Sequence, residues 1–127
     1  TMDVVVTVPQ HRWQEWLAEG ALPGESFPPD VEYYWFGSGN LPRIAPSERV
    51  YIVALGRVRG HAPLVRVATR GEPWWPPKAK WALVRHGGAV ACTIPEAIRG
   101  FQGYRYRWWR RDIDERPFPD WQAGGSV

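Results

Sequence analysis

Cysteine is nearly absent from this chain: Cys92 is the only one in 127 residues, so no disulfide can form within it. Stability must then come from packing, and a single thiol suits a reducing compartment, so a cytoplasmic protein is expected. Long apolar runs are missing as well. None approaches the roughly 20 residues of a membrane-spanning helix, so no membrane partner is expected. The N-terminal stretch carries no charged-then-apolar leader, and no secretion signal is predicted. Histidine is sparse: His11, His61 and His86 are spread along the chain with Cys92 and show no paired ligand spacing, so no metal site is predicted. Gly87-Gly88 lacks the Gly-Lys-Ser/Thr that completes a phosphate loop, and no cofactor is expected. Lysine is limited to Lys78 and Lys80 among 16 basic residues. The remainder are Arg, whose planar fork matches phosphate and stacks on flat rings.

Aromatic side chains are plentiful. Nine residues are Trp, and 44% of the chain is hydrophobic, which suits one domain over residues 1–127 rather than disorder. The acidic tail after about residue 120 is expected to fray. The net charge of +3 hides an asymmetry. Residues 1–56 carry three Arg against seven acids, a net of −4, and residues 112–127 carry one Arg against four acids, a net of −3. Between them, residues 57–111 hold twelve Lys and Arg against two acids, a net of +10. That distribution predicts one positive face; the alternative is a solvated strand face that uses Arg.

Along the chain, Val4 to Val8 reads as a buried strand ended by Pro9. Gln10 to Gly20 reads as a short helix with Trp13, Trp16 and Leu17 on its core face and Gly20 as its C-cap. Residues 21–30 read as a loop and Val31 to Phe36 as an aromatic strand. Arg49 to Leu55 and Val58 to Thr69 read as two long antiparallel strands joined near Gly56. Pro63, inside the second, argues for an edge position or a bulge. Trp81 to Arg85 and Ala89 to Ile94 flank His86-Gly87-Gly88, a hairpin signal. Pro95 to Gly103 is a connector with one helical turn. Tyr104 to Trp109 reads as a strand in which aromatic and Arg residues alternate (Tyr104, Arg105, Tyr106, Arg107, Trp108), which places them on opposite faces. The fold class expected is mostly β (α+β): a small β-barrel with one or two short helices.

The order of a strand, a helix ending in EWLAEG, an IAPSERVYI turn and strand, and an RVRGHAPLVRV strand resembles the ASCH, EVE and YTH branches of the PUA-like superfamily. The resemblance covers roughly residues 3–70. It implies a PUA-like barrel that binds RNA or DNA. Some ASCH proteins hydrolyse acylated cytidine with a Lys, a Thr and a Glu. Here Ala21 follows Gly20 where the Lys stands, and Tyr33-Tyr34-Trp35-Phe36 replaces the Glu-Leu-Arg strand. The aromatic strand followed by Ser38 and Asn40 is more similar to the YTH and EVE pockets, which hold a modified base in an aromatic cage.

The predicted function is therefore nucleic-acid binding rather than catalysis. Trp35, Trp74, Trp75, Trp108 and Trp109 are candidate stacking groups, and Ser38 and Asn40 can read a base edge because both donate and accept. Trp35 and Trp75 serve equally well as core residues. Trp108 and Trp109 face opposite ways on a strand, so one at most joins such a site. Arg57, Arg59, Arg105, Arg107, Arg110, Arg111, Lys78 and Lys80 are the candidate phosphate contacts. Cys92, in an apolar strand, reads as buried and inert. Asp112, Asp114 and Glu115 read as surface partners of Arg110, Arg111 and Arg116. Two rival functions make their own predictions. A nucleoside amidohydrolase requires Lys80 to converge with Glu32 or Glu96 in a deep pocket. A protein-interaction module requires the Trp74-Trp75-Pro76-Pro77 loop to present an exposed apolar patch.

Overall fold

The computed structural model describes residues 2–9, 12, 32–69, 73, 75–85 and 90–119. The predicted helix with Trp13 and Trp16, the loop at 21–30, Trp74, the turn at 86–88 and the tail beyond 120 lie outside them. The described chain is mostly β. Its strands are β1 (Val4–Thr7), β2 (Tyr33–Gly37), β3 (Arg49–Ala54), β4 (Arg57–Pro63), β5 (Arg66–Thr69), β6 (Trp81–Arg85), β7 (Cys92–Thr93), β8 (Tyr104–Tyr106) and β9 (Arg116–Pro117), with one short helix, α1 (Arg111–Asp114), before the last.

These strands form three sheets: β4-β3-β1-β8, β2-β6-β5 and the pair β7-β9. Among the described residues no continuous ring of paired strands closes. β1 lies inside the first sheet, parallel to β3 and antiparallel to β8. Its valines bury both faces, Val4 and Val6 on one side and Val5 on the other, which is why it reads as an unbroken β-branched run. A parallel pair needs a crossover, and the chain makes it by building β2 in the second sheet on the way from β1 to β3. β3 and β4 form the expected hairpin. Leu55 and Gly56 turn it with positive φ of 52° and 86°, the geometry of a tight primed turn.

Three expectations differ from the fold. The single strand expected over Val58 to Thr69 is two strands in different sheets. Pro63 has no N–H to continue the ladder, so β4 ends there, on the edge of its sheet. Leu64 then donates its N–H to Glu48 and Val65 donates to Val84, which hands the chain from one sheet to the other. The hairpin expected between Trp81–Arg85 and Ala89–Ile94 does not pair. β6 is bonded on both sides, by β2 and β5, so it has no edge left for β7, which pairs with β9 instead. The helical turn expected within Pro95–Gly103 does not form, and the short helix of the described residues, α1, lies in a segment for which no helix was expected.

Three packed layers follow. Val4, Val6, Val50, Ile52, Trp81 and Leu83 fill the space between the two larger sheets. Val5, Tyr51, Val53, Val58, Cys92, Ile94 and Trp109 cover the opposite face of the first sheet. Trp75, Ala79, Ala82 and Val84, with Tyr34 and Phe36 against them, cover the opposite face of the second.

Candidate functional site

Where the two larger sheets diverge they leave a cavity of about 610 Å³. Its walls come from the end of β1 (Thr7, Val8), from β2, from Val50 and Ile52 of β3, from Trp81 and Leu83 of β6, and from the loop entering β8 (Phe101 to Tyr104). Ser38 and Asn40 stand exposed at its rim, and Arg12 and Arg85 also line it. The aromatic wall is continuous. Trp35 lies 6.0 Å from Trp81 at 38°, Trp81 meets Tyr104 edge-on at 5.8 Å, and Tyr104 meets Tyr106 at 5.7 Å. Trp81 Nε1 donates to the carbonyl of Gly39 at 2.9 Å, tying the ring to the rim turn. That position requires Gly37: a Cβ there would sit 2.3 Å from the Trp81 ring. Neither Trp81 nor Tyr104 was among the residues expected to stack on a base. Each sits in a strand whose pattern reads equally well as core.

Of the predicted base-binding residues, the cavity brings together Trp35, Ser38 and Asn40. Trp75 is elsewhere. β2 alternates, so Tyr34 and Phe36 turn their rings away from Trp35, and Trp75 packs on those two, 5.1 Å from Phe36. It is 6% exposed and donates its indole N–H to Ala79 O at 2.8 Å. The expected cage of Trp35 and Trp75 is therefore not formed. Trp108 lies on the surface away from the cavity, donating to Glu96, while Trp109 is buried.

The predicted phosphate contacts divide similarly. Arg59 is 0% exposed and donates to Ala54 O at 2.8 Å, and burial lowers its pKa, so its guanidinium is a core group and reaches no backbone phosphate. Arg57 donates to Thr93 and lies 4.4 Å over the Phe118 ring. Lys78 and Lys80 are exposed, and the Lys80 N–H is held by the carbonyl of Gly37 at the cavity wall. Arg105 is exposed and lies 4.2 Å over Phe101. Arg107, Arg110 and Arg111 line a second, shallower cleft of about 620 Å³, with Arg49, Asp112 and Glu115. Arg49 and Tyr51 alternate with the cavity-lining Val50 and Ile52, so this cleft lies on the opposite face of the first sheet. Within it Arg107 is held by Asp3 at 3.0 Å, and Arg110 pairs with Asp112 in a surface bridge, each 70% exposed.

Glu115 departs from the surface role expected of it. Its side chain is 13% exposed. Its Oε2 accepts from Tyr51 Oη at 2.5 Å and from Trp109 Nε1 at 2.9 Å, and its Oε1 accepts from Arg49 at 3.3 Å. Burial, then this hydrogen bond to the carboxylate, pushes the Tyr51 phenol up from its ordinary value. Beside it lie His61, from β4, and Cys92, from β7. One ligand atom from each of the three comes within 4.8 Å of the others. Burial, with Arg49 nearby, lowers His61 to about 4, and burial pushes the Cys92 thiol up to about 12. Segments distant in sequence thus bring together three groups that no paired ligand spacing announces.

A scan against protein-family models and searches of curated proteins and of solved structures each found no match to this chain. No helix among the described residues is long and apolar enough to cross a membrane.

Proposed function

We propose that this chain binds nucleic acid by taking one base into the cavity between its two larger sheets. The observation that carries this reading is the cavity's wall and rim: Trp35, Trp81 and Tyr104 in edge and tilted contact, with Ser38 and Asn40 exposed above them. Its volume falls within the roughly 300–1,000 Å³ usual for small-molecule pockets. Aromatic walls favour a flat heterocycle, and the rim hydroxyl and amide offer both donors and acceptors to a base edge. On this reading the fold is a PUA-like barrel whose two larger sheets wrap the cavity. The protein works in the cytoplasm and needs no cofactor.

The backbone path follows from β8, the edge strand of the first sheet. Tyr104 faces the cavity, and Arg105 points to the other side. A strand with one base beside Tyr104 crosses that edge and meets Arg105, then Arg110 and Arg111, while Lys80 flanks the opposite wall. Arg107 contributes less, because Asp3 already holds it.

The amidohydrolase reading finds no such support. Glu32 is engaged by Arg66 at 2.8 Å, Glu96 accepts from Trp108, and neither lines the cavity. Nor does an exposed Trp75 support the partner-docking reading, since that ring is buried.

The test is binding to short single- and double-stranded RNA and DNA, each with and without common base methylations, at two salt concentrations. Salt-sensitive binding with preference for one modification is expected. Absence of binding to every member of the panel overturns the reading.

A further inference from the structure

We propose that His61, Cys92 and Glu115 form a binding site for a divalent transition-metal ion of zinc's class, with one ligand atom from each and a fourth position open. No local motif announces this site, and it does not depend on nucleic-acid binding.

The geometry comes from backbone pairing. His61 and Val90 exchange backbone hydrogen bonds at 3.0 and 2.8 Å, which sets β4 beside the chain two residues before Cys92. Cys92 and Thr93 pair in turn with Pro117 and Arg116, which sets Glu115 at the start of that ladder. Three separate segments are thus fixed against one another before any ion binds. Their ligand atoms lie within 4.8 Å of one another. Zinc bonds of about 2.0–2.3 Å place tetrahedral ligands roughly 3–4 Å apart, so rotamer adjustment suffices to close the site.

The donor set suits the ion. Sulfur, imidazole nitrogen and carboxylate oxygen together favour zinc over magnesium or calcium, which take oxygen ligands. A divalent ion with one thiolate, one carboxylate and one neutral imidazole has no net charge, the condition under which charged groups are tolerated in a buried site. The ion itself drives the thiol proton off as it binds. Glu115 is already oriented as a metal-binding carboxylate would be. Tyr51 and Trp109 donate to Oε2, while among the described residues Oε1 receives only the longer contact from Arg49 and keeps lone pairs available. Among the described residues none hydrogen-bonds the His61 ring or the Cys92 sulfur. Glu115 also lines the Arg-rich cleft, which provides a path of entry from solvent.

The experiment uses the full chain, stripped with a chelator and titrated with cobalt(II), then zinc(II). One cobalt per chain is expected, with a thiolate-to-cobalt charge-transfer band that zinc abolishes. Because Cys92 is the only cysteine, any such band reports on that sulfur. Cys92→Ser should remove the band, and His61→Gln and Glu115→Gln should each weaken binding by at least roughly tenfold. If a variant fails to fold, the wild-type titration still decides. A folded wild-type chain that shows no charge-transfer band overturns the proposal. So does one ion per two chains, or a band that persists at unchanged affinity in both His61→Gln and Glu115→Gln.

Discussion

The two faces of the first sheet are built from the same strands and hold opposite kinds of site. On one side Val50 and Ile52 of β3 help wall an aromatic cavity whose polar groups stand at its rim. On the other side the intervening Arg49 and Tyr51 meet a half-buried carboxylate, Glu115, under an Arg-lined cleft. A period of two along one strand is enough to separate them. On the cavity face Ser38 and Asn40 stand exposed at the rim. The cleft face uses its carboxylates to hold its own Arg and Tyr side chains, so stability and binding are entangled there.

That contrast breaks most visibly at Glu115. Replacing it by alanine leaves Tyr51, Trp109 and Arg49 without their shared acceptor. Glu115→Ala should lower stability by about 3 kcal/mol, read by urea unfolding in chelator-containing buffer. Oligonucleotide binding by the fraction still folded should survive. A loss below about 0.5 kcal/mol, the range of ordinary surface substitutions, would show that the carboxylate is not holding this face together.

On the cavity face the comparable weak point is a glycine. Gly37→Ala forces a methyl group to 2.3 Å from the Trp81 ring, so ring or strand must move. Overpacking of this kind costs about 1–3 kcal/mol. A Cβ at Gly39 meets nothing within 4 Å, so Gly39→Ala is the matched control and should be nearly silent. Equal melting temperatures for the two variants would mean that Trp81 does not sit where the cavity needs it.

How far these faces are legible in the sequence depends on the range of the interactions that set them. The Val4–Val6 run, the Leu55-Gly56 turn and the Tyr104-Arg105-Tyr106 alternation are local patterns, and each reads directly. Trp35 beside Ser38 and Asn40 is legible for the same reason: strand and turn place them within a few residues of one another. The failures are matters of partner choice. Nothing local says that β6 is already bonded on both edges, or that the chain changes sheets after Pro63. Trp75 has no strand of its own to fix its facing, and its placement follows from Tyr34 and Phe36 across the sheet. Arg59 looks like its basic neighbours until the β3–β4 register shift between Ile52 and Val53 is known. His61, Cys92 and Glu115 share no spacing, because two backbone pairings among three separate segments, rather than one motif, bring them together.

Trp35 and Trp75 sharpen the comparison from the binding side, since they look interchangeable in sequence and lie on opposite faces of β2. Trp35→Ala removes a cavity wall and should weaken binding of the preferred oligonucleotide by roughly tenfold, within the 1–3 kcal/mol that stacking on one base supplies. Discrimination between modified and unmodified base should fall with it. Trp75→Ala should lower the melting temperature while leaving discrimination intact. Equal loss of affinity for modified and unmodified oligonucleotides in Trp35→Ala would sink the modified-base reading.

The smallest effect decides whether the two faces cooperate. If the backbone crosses the β8 edge, Arg105 and Arg111 each neutralise a phosphate on the far side from the base. Each released counterion contributes about 0.7 to the slope of log affinity against log salt for a single strand. Arg105→Gln and Arg111→Gln should therefore each flatten that slope by about 0.7, and the double variant by about twice that. Arg66 carries the same charge but is bound to Glu32 at 2.8 Å, outside the proposed path, so Arg66→Gln should leave the slope unchanged. Equal flattening by all three would mean that the positive charge acts as a diffuse field and that nothing runs across β8. Flattening by Arg105→Gln alone would end the path just past the β8 edge and leave the Arg-lined cleft to some other anion.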